Sequence, residues 1–329
     1  MAERTIRYGI IGFGRFAEKS IAPAIRRSKS SELVALQKRS AQAARQKADE
    51  HSVPLAFATV EELVHYSDID AVFITSANSA HCGEAIAAAR AGKHVIVEKP
   101  MALSSAECEQ MIDACSRSGV KLMVGTMVRL SPLIRRMKEL IGAGRIGEVK
   151  AARAEFIYDA RLSSRTWLID RAVAGGGPVF DIGVHCIDTL RFVLDDEPAV
   201  LGAALSPRPT ETSTEESASI SMLFSRGVVA SVLCSYTAPI RRSILEIIGT
   251  EAVLHAQDFT RGNQVGKLTI SRGKSDKVAS VTVEEIAVGD LYVEEISMFT
   301  HWILGGPPPE IDGENGLKNQ RILDRVITF

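Results

Sequence analysis

The chain has 329 residues, 46% of them apolar and 24% charged, and a formal net charge of -1. This is the profile of a globular chain long enough for two ordinary domains, and without a basic patch it excludes nucleic acid as a main partner. Five scattered cysteines without a Cys-x-x-Cys spacing exclude a disulfide framework and a zinc site. No metal is expected. The cysteine usage suits a reducing cytoplasm, and the first residues lack the apolar stretch of a signal peptide. No run of about 18 apolar residues suggests a membrane span.

The first third alternates short apolar runs with amphipathic stretches. Residues 7–11 read as a strand, and Ile21 and Ile25 mark one face of the helix that follows. Residues 33–36, 70–75, 94–97 and 122–124 read as further strands. Helices are expected over 41–50, over 80–91 and from Ser104 toward Gly119, with Thr59 and Glu62 spaced as a capping box that opens a short one. Strand, helix and strand in repetition mean parallel pairing with right-handed crossovers. A doubly wound, dinucleotide-binding Rossmann domain is expected over 1–126.

The pattern then changes. A basic amphipathic helix over 132–142 precedes an alternating strand over 149–158, and Gly175-Gly176-Gly177 precedes a helix over 180–194. Strand-like segments follow at 200–205, 217–224, 228–236, 243–248, 267–271 and 278–283, before a late helix at 291–304. No long helix separates these strands, so their sheet should be mostly antiparallel. The fold class is therefore α/β, with a second, α+β domain over 127–329 built on one broad sheet.

Gly12-Phe13-Gly14-Arg15-Phe16-Ala17 fits the pattern G-x-G-x-x-G/A directly after a strand and opens a helix. Gly12 allows the tight turn, Gly14 lets the backbone approach a pyrophosphate, and Ala17 lets helix and strand pack closely. The freed N–H groups at the helix start then face the phosphates. At the end of the second strand, where NAD-binding chains place an acid against the ribose, the sequence is Gln37-Lys38-Arg39-Ser40. Lys38 and Arg39 can pair with a 2′-phosphate and Ser40 can hydrogen-bond it, so NADP is expected in preference to NAD.

Glu98-Lys99-Pro100 follows an apolar strand, at the carboxyl end where open α/β sheets bind ligands. Pro100 restricts Lys99 to an extended backbone. Asp181 and His185 are four apart on a helix and share one face. Histidine is the usual proton shuttle near neutral pH, while Asp181 can bind a substrate hydroxyl or hold the imidazole.

With Asn78 and His81 after the strand at Thr75, Gly144-Arg145-Ile146-Gly147, and Trp167 ahead of the glycine run, these motifs resemble the Gfo/Idh/MocA oxidoreductases over nearly the whole chain. The resemblance implies hydride transfer between a nicotinamide and a carbon of a pyranose, polyol or related substrate lying between the domains. It is closest to the family's NADP-dependent sugar reductases, with Asp170 and residues 191–194 contributing. It implies Lys99 as the active-site lysine, His185 as proton donor or acceptor and Asp181 as a sugar-binding acid. Lys99, being cationic, can stabilise the oxyanion of a ketone accepting hydride. Thr75, Asn78, His81, Glu98, Lys99 and Trp167 join residues 12–16 and 38–40 as cofactor-binding candidates. Arg129 and Tyr158 join Lys99, Asp181 and His185 on the substrate side. Family members often carry a cis Lys–Pro peptide, so Lys99–Pro100 is a candidate.

Two departures accompany the resemblance. Leu168 stands where relatives often have an arginine after the tryptophan, leaving Arg161, Arg165 or Arg171 to substitute. The sequence stops at Phe329 where relatives usually run further, which would remove peripheral packing only. Alternative readings are a dinucleotide-binding regulator without catalysis, in which the lysine or histidine is usually lost, and a biliverdin- or dihydrodiol-type reductase. A sheet with helices on one face leaves the other to bury, so a homodimer or larger homo-oligomer is expected through segments 219–223 and 228–232.

Overall fold

The computed structural model describes residues 4–160, 163, 165–274 and 277–329. The chain forms two compact units. In the first, continuous apolar runs become β1 (Ile6–Ile11), β2 (Ser31–Gln37), β3 (Leu55–Phe57), β4 (Ala71–Ile74), β5 (His94–Glu98) and β6 (Leu122–Gly125). Neighbouring strands pair in parallel, in the order β3-β2-β1-β4-β5-β6. Every residue of β4 is buried, as a sheet covered on both faces requires.

Helices α1 (Ala22–Arg27), α2 (Ala41–Glu50), α3 (Val60–Val64), α4 (Asn78–Arg90) and α5 (Ser105–Arg117) lie between these strands. The capping box at α3 is complete: Thr59 Oγ1 accepts the Glu62 N–H and the Glu62 carboxylate accepts the Thr59 N–H, at 3.2 and 3.0 Å. At α5, Ser104 Oγ accepts the Glu107 N–H, but the Glu107 carboxylate turns to the N–H of Leu103. The chain leaves β1 toward one edge through β2 and β3, then crosses to the other side through β4, β5 and β6. The order therefore reverses between β1 and β4, and ligands bind at the strand ends beside such a reversal.

The second unit holds α6 (Pro132–Gly142), β7 (Val149–Asp159), α7 (Arg171–Ala174) and α8 (Val184–Leu194). It continues with β8 (Pro198–Ser206), β9 (Ser217–Phe224), β10 (Val229–Ser235), β11 (Thr237–Gly249), β12 (Ala252–Gln257), β13 (Gln264–Lys274) and β14 (Lys277–Val288). The eight strands lie in the order β14-β13-β12-β11-β7-β10-β9-β8 and pair antiparallel, except that β7 and β10 run parallel. Alternation sorts the side chains: in β9, Ala218, Ile220, Met222 and Phe224 are buried while the residues between them are not. Helices α6 and α8 pack against strands of this sheet.

The last two helices, α9 (Leu291–Ile303) and α10 (Gly313–Val326), alter the expected division. The sequence placed all of 127–329 in the second domain, but Tyr292–Gln320 pack with the first unit. Val124 N–H donates to the carbonyl of Ile311 at 2.9 Å, and the buried Tyr8 hydroxyl lies 2.7 Å from Thr300 Oγ1. Phe299 is fully buried. No described helix is long and apolar enough to cross a membrane.

Candidate active site

The glycine loop is tied from three sides. Gly12 has φ +77°, and a Cβ there would lie 2.7 Å from the backbone nitrogen of Ser76, so strand β1 can meet the loop after β4 only with glycine. The Gly12 N–H donates to Gln37 Oε1 at 3.1 Å, and Gln37 Nε2 donates to the Ala58 carbonyl at 3.0 Å. Thr75 Oγ1 donates to the carbonyls of Ile11 and Gly12. At Gly14 the nearest atom a Cβ would meet is the Gly12 oxygen, 3.7 Å away. That open side, followed by a helix start, leaves a cradle suited to a dinucleotide pyrophosphate. Phe13 is buried against His51, so its side chain packs and only its backbone faces the loop. Arg15 is exposed, and Phe16 meets Tyr292 edge-on. A π-helical turn, Ala17–Ile21, continues the helix into α1 and buries Ala17.

The three residues after β2 separate in role. Lys38 Nζ donates to the Phe13 carbonyl at 2.8 Å and so closes the loop. Ser40 is the N-cap of α2, its Oγ accepting the Ala43 N–H at 3.3 Å. Arg39 is exposed. Gln37 explains the missing acid: the side chain at the end of β2 is spent on holding Gly12.

The Lys99–Pro100 peptide is cis. The Lys99 N–H meets Glu98 Oε2 at 3.2 Å. His81, expected beside the cofactor, lies deep in the first unit. It is 1% exposed, and its Nδ1 and Nε2 lie 3.0 and 3.2 Å from the carbonyls of Pro100 and Ser76. Burial pushes its pKa down to about 4. The neutral ring has a single N–H, so it donates to one of these two carbonyls at a time and packs between the two backbone turns. Asn78, the buried first residue of α4, lies one turn ahead of it. Glu295 on α9 is a residue the sequence reading missed. It is fully buried, and burial together with the charge of Glu98 raises its pKa well above the usual carboxylate range.

In the second unit, a π-helical turn, Val179–Gly183, carries Asp181 and runs into α8, which carries His185. The glycine run is steric: a Cβ on Gly177 would collide with the carbonyl of Glu215. Glu215, also missed, is 1% exposed and accepts the Val179 N–H at 3.0 Å. Asp181 is held by the Arg165 guanidinium at 3.0 and 3.1 Å and by the Tyr158 hydroxyl at 2.8 Å. His185 is 7% exposed, with its ring 6.2 Å from that of Phe156. Tyr158, Asp181 and His185 are therefore gathered around β7 and the start of α8, and of the three arginines that could stand in for the one missing after Trp167, Arg165 joins them.

Arg129, expected on the substrate side, is paired within the second unit. It is 8% exposed, its Nε donates to Asp188 Oδ2 at 2.8 Å, and its guanidinium stacks 5.2 Å from the Phe192 ring. It anchors α8 through Asp188 and Phe192. Trp167 is half-buried in a 3-10 turn, Thr166–Ile169. Leu168 beside it is 3% exposed, so this position is apolar because it is core. Arg171 donates to the Thr210 carbonyl at 2.9 Å, which ties it to a loop. Arg161 lies outside the described residues.

Two family models match the chain, the GFO/IDH/MocA oxidoreductase family with NAD-binding Rossmann fold over residues 6–126 and the GFO/IDH/MocA C-terminal domain over 134–255. A 1,5-anhydro-D-fructose reductase of Ensifer adhaerens is 31% identical over 312 residues, covering 94% of this chain and 92% of that one. A D-xylose 1-dehydrogenase (NADP(+)) of Haloferax volcanii is 27% identical over 97% of this chain and 95% of its own. Among solved structures, the aldose-aldose oxidoreductase of Caulobacter crescentus, complexed with glycerol, superposes with a TM-score of 0.84 at 26% identity, covering 99% and 97% of the two chains. With a six-stranded parallel sheet, a glycine cradle at its switch point and both domain models matched, the chain belongs to the GFO/IDH/MocA family of NAD(P)-dependent oxidoreductases.

Proposed function

We propose that the chain is an NADP-dependent oxidoreductase acting on a CH–OH group of a sugar or polyol. The observation that carries this reading is that the lysine at the end of β5 and the Asp181–His185 pair are all present, where a non-catalytic relative would be expected to have lost one. All three similar enzymes named above act on sugars, by their names. The bound nicotinamide supplies the hydride acceptor or donor. In the oxidising direction, His185 takes the hydroxyl proton as the carbon-bound hydrogen leaves with its electron pair, and the alcohol becomes a carbonyl. In reduction, His185 returns that proton to the oxygen. Lys99 offers its cation to the partial negative charge on the reacting oxygen. Asp181 binds a neighbouring substrate hydroxyl, and Tyr158 orients that carboxylate.

The preference for NADP rests on Arg39. Gln37 supplies no acid for a 2′-hydroxyl and Lys38 is committed to Phe13, which leaves Arg39 and the Ser40 hydroxyl for a 2′-phosphate. Arg39→Ala is expected to weaken NADPH binding about 10-fold or more, since a charge-assisted contact to phosphate is lost, with little change for NADH. Fluorescence titration with both cofactors checks this, and equal losses for the two would contradict it.

The open face of the second sheet supports a homo-oligomer. Ala199, Leu223, Val229, Ala151, Ile248, Val253, Ser271 and Val281 pair in one row across all eight strands. Within it Leu223, Val229, Ile248 and Val281 are 38%, 55%, 36% and 57% exposed, an apolar stripe on the open face. A second copy of the same face would cover it. Sedimentation equilibrium at micromolar concentration is expected to give a dimer or larger, and a monomeric mass would contradict this. All five cysteines are buried and none is in a disulfide, which fits a cytoplasmic setting.

A further inference from the structure

Arg165 is the cation the family motifs leave unassigned. Its guanidinium forks Asp181, Nη1 to Oδ1 at 3.0 Å and Nη2 to Oδ2 at 3.1 Å, and Nη2 also donates to the Tyr158 hydroxyl at 3.0 Å. That hydroxyl in turn donates to Oδ2 at 2.8 Å. Parallel N–H···O bonds of this kind fix orientation as well as charge. The carboxylate, chiefly through its charge, strengthens the hold of Arg165 on its own proton. The side chain of Asp181 is 8% exposed and that of Arg165 is 41% exposed, so the acid lies inside and the arginine reaches outward from it. Tyr236, 3% exposed, closes the inner side with its ring edge-on to Tyr158 at 5.4 Å.

The pair carries no net charge. A carboxylate or phosphate approaching Arg165 meets the like charge of Asp181 and must compete with it for the same guanidinium. A neutral hydroxyl meets no such opposition, and discrimination of this sort comes from the repulsive element as much as the attractive one. We propose that Arg165 is a specificity-determining residue, which orients Asp181 and, with its charge taken up there, selects uncharged polyhydroxy substrates over sugar acids and sugar phosphates. The inference rests on the reading of Asp181 as a substrate-binding acid.

The test measures kcat and KM for D-xylose with NADP, together with the inhibition constants of D-glucose and D-glucuronate, which differ only at C6. Wild type, Arg165→Met, Arg165→Lys, Asp181→Asn and His185→Ala are compared. Wild type is expected to bind D-glucose about 10-fold better than D-glucuronate. Arg165→Met should raise KM for D-xylose about 10-fold with kcat changed far less, and Arg165→Lys should recover part of that loss. Asp181→Asn releases the charge of Arg165, so the preference for D-glucose should shrink or reverse. If Arg165→Met fails to fold, Arg165→Lys, which keeps the charge and loses the fork, decides the matter by the split between its KM and kcat for D-xylose. An Asp181→Asn ratio equal to that of wild type, or an unchanged KM in Arg165→Met, overturns the inference alone. A wild type that oxidises no sugar overturns the functional reading and the inference with it, whereas an active wild type and an inactive His185→Ala leave the reading standing on its own.

Discussion

Replacing His185 by alanine is expected to lower kcat by about 100- to 10,000-fold, the range that a positioned proton shuttle supplies, while the affinity for NADPH stays within about 2-fold of wild type. Lys99→Met should lose turnover comparably, because methionine keeps the length of the stem and removes only the charge. The two residues belong to separate units, and the proposed roles differ, one moving a proton and the other stabilising charge. His185→Ala should therefore alter the pH profile of the residual rate, whereas Lys99→Met should lower the rate at every pH. Stopped-flow measurement of nicotinamide absorbance with parallel NADPH titrations checks both. Full rates in either variant would remove that residue from the mechanism.

The largest expected effect on stability lies at Arg129. Asp188 is 1% exposed, and its carboxylate is paired with Arg129 at 2.8 Å and approached by Arg191 at 3.6 Å. Arg129→Met removes the nearer partner and leaves a buried charge poorly compensated, which costs about 3–5 kcal/mol. Arg191 should hold the loss near the lower end. Adding Asp188→Leu removes the carboxylate that Arg129 had paired, so the double variant should regain most of the stability. Urea unfolding of the four proteins in this cycle measures it. A substrate-binding arginine would behave in the opposite way, raising KM with little effect on stability.

Much of the fold is legible along the chain because it is written in local periodicity. Segment 217–224 alternates strictly, and β9 occupies Ser217–Phe224. Thr59 and Glu62 carry their capping box in the spacing alone. β3 escapes such reading because its three residues, Leu55–Phe57, are too few to show a period. β12 follows β11 after only two residues, Thr250 and Glu251, with no glycine–asparagine turn between them to announce a hairpin. The return of Tyr292–Gln320 to the first unit is set by tertiary contacts such as Val124 with Ile311, which no local pattern encodes.

The candidate site divides in the same way. Gly12, Gly14, Lys99, Asp181 and His185 stand in motifs whose spacing carries their chemistry. Arg165, Gln37, Glu215 and Glu295 do not, since each acts on a partner remote in sequence. Gln37 reaches Gly12 across 25 positions and Arg165 reaches Asp181 across 16. A signal did exist for two of them. Gln37 stands where an acid was expected, and Arg165 stands close to the position from which an arginine was missing. His81 and Arg129 also have partners within the chain that spacing does not reveal, a backbone carbonyl for His81 and the Asp188 carboxylate for Arg129.

Hydride transfer to or from a sugar is the central claim, and nicotinamide absorbance reads it directly. The purified protein should consume NADPH with 1,5-anhydro-D-fructose or produce it with D-xylose, at a rate that His185→Ala abolishes. Tight NADPH binding with no turnover on either substrate, or on a broad panel of neutral aldoses, ketoses and polyols, would contradict the account and point to a dinucleotide-binding regulator.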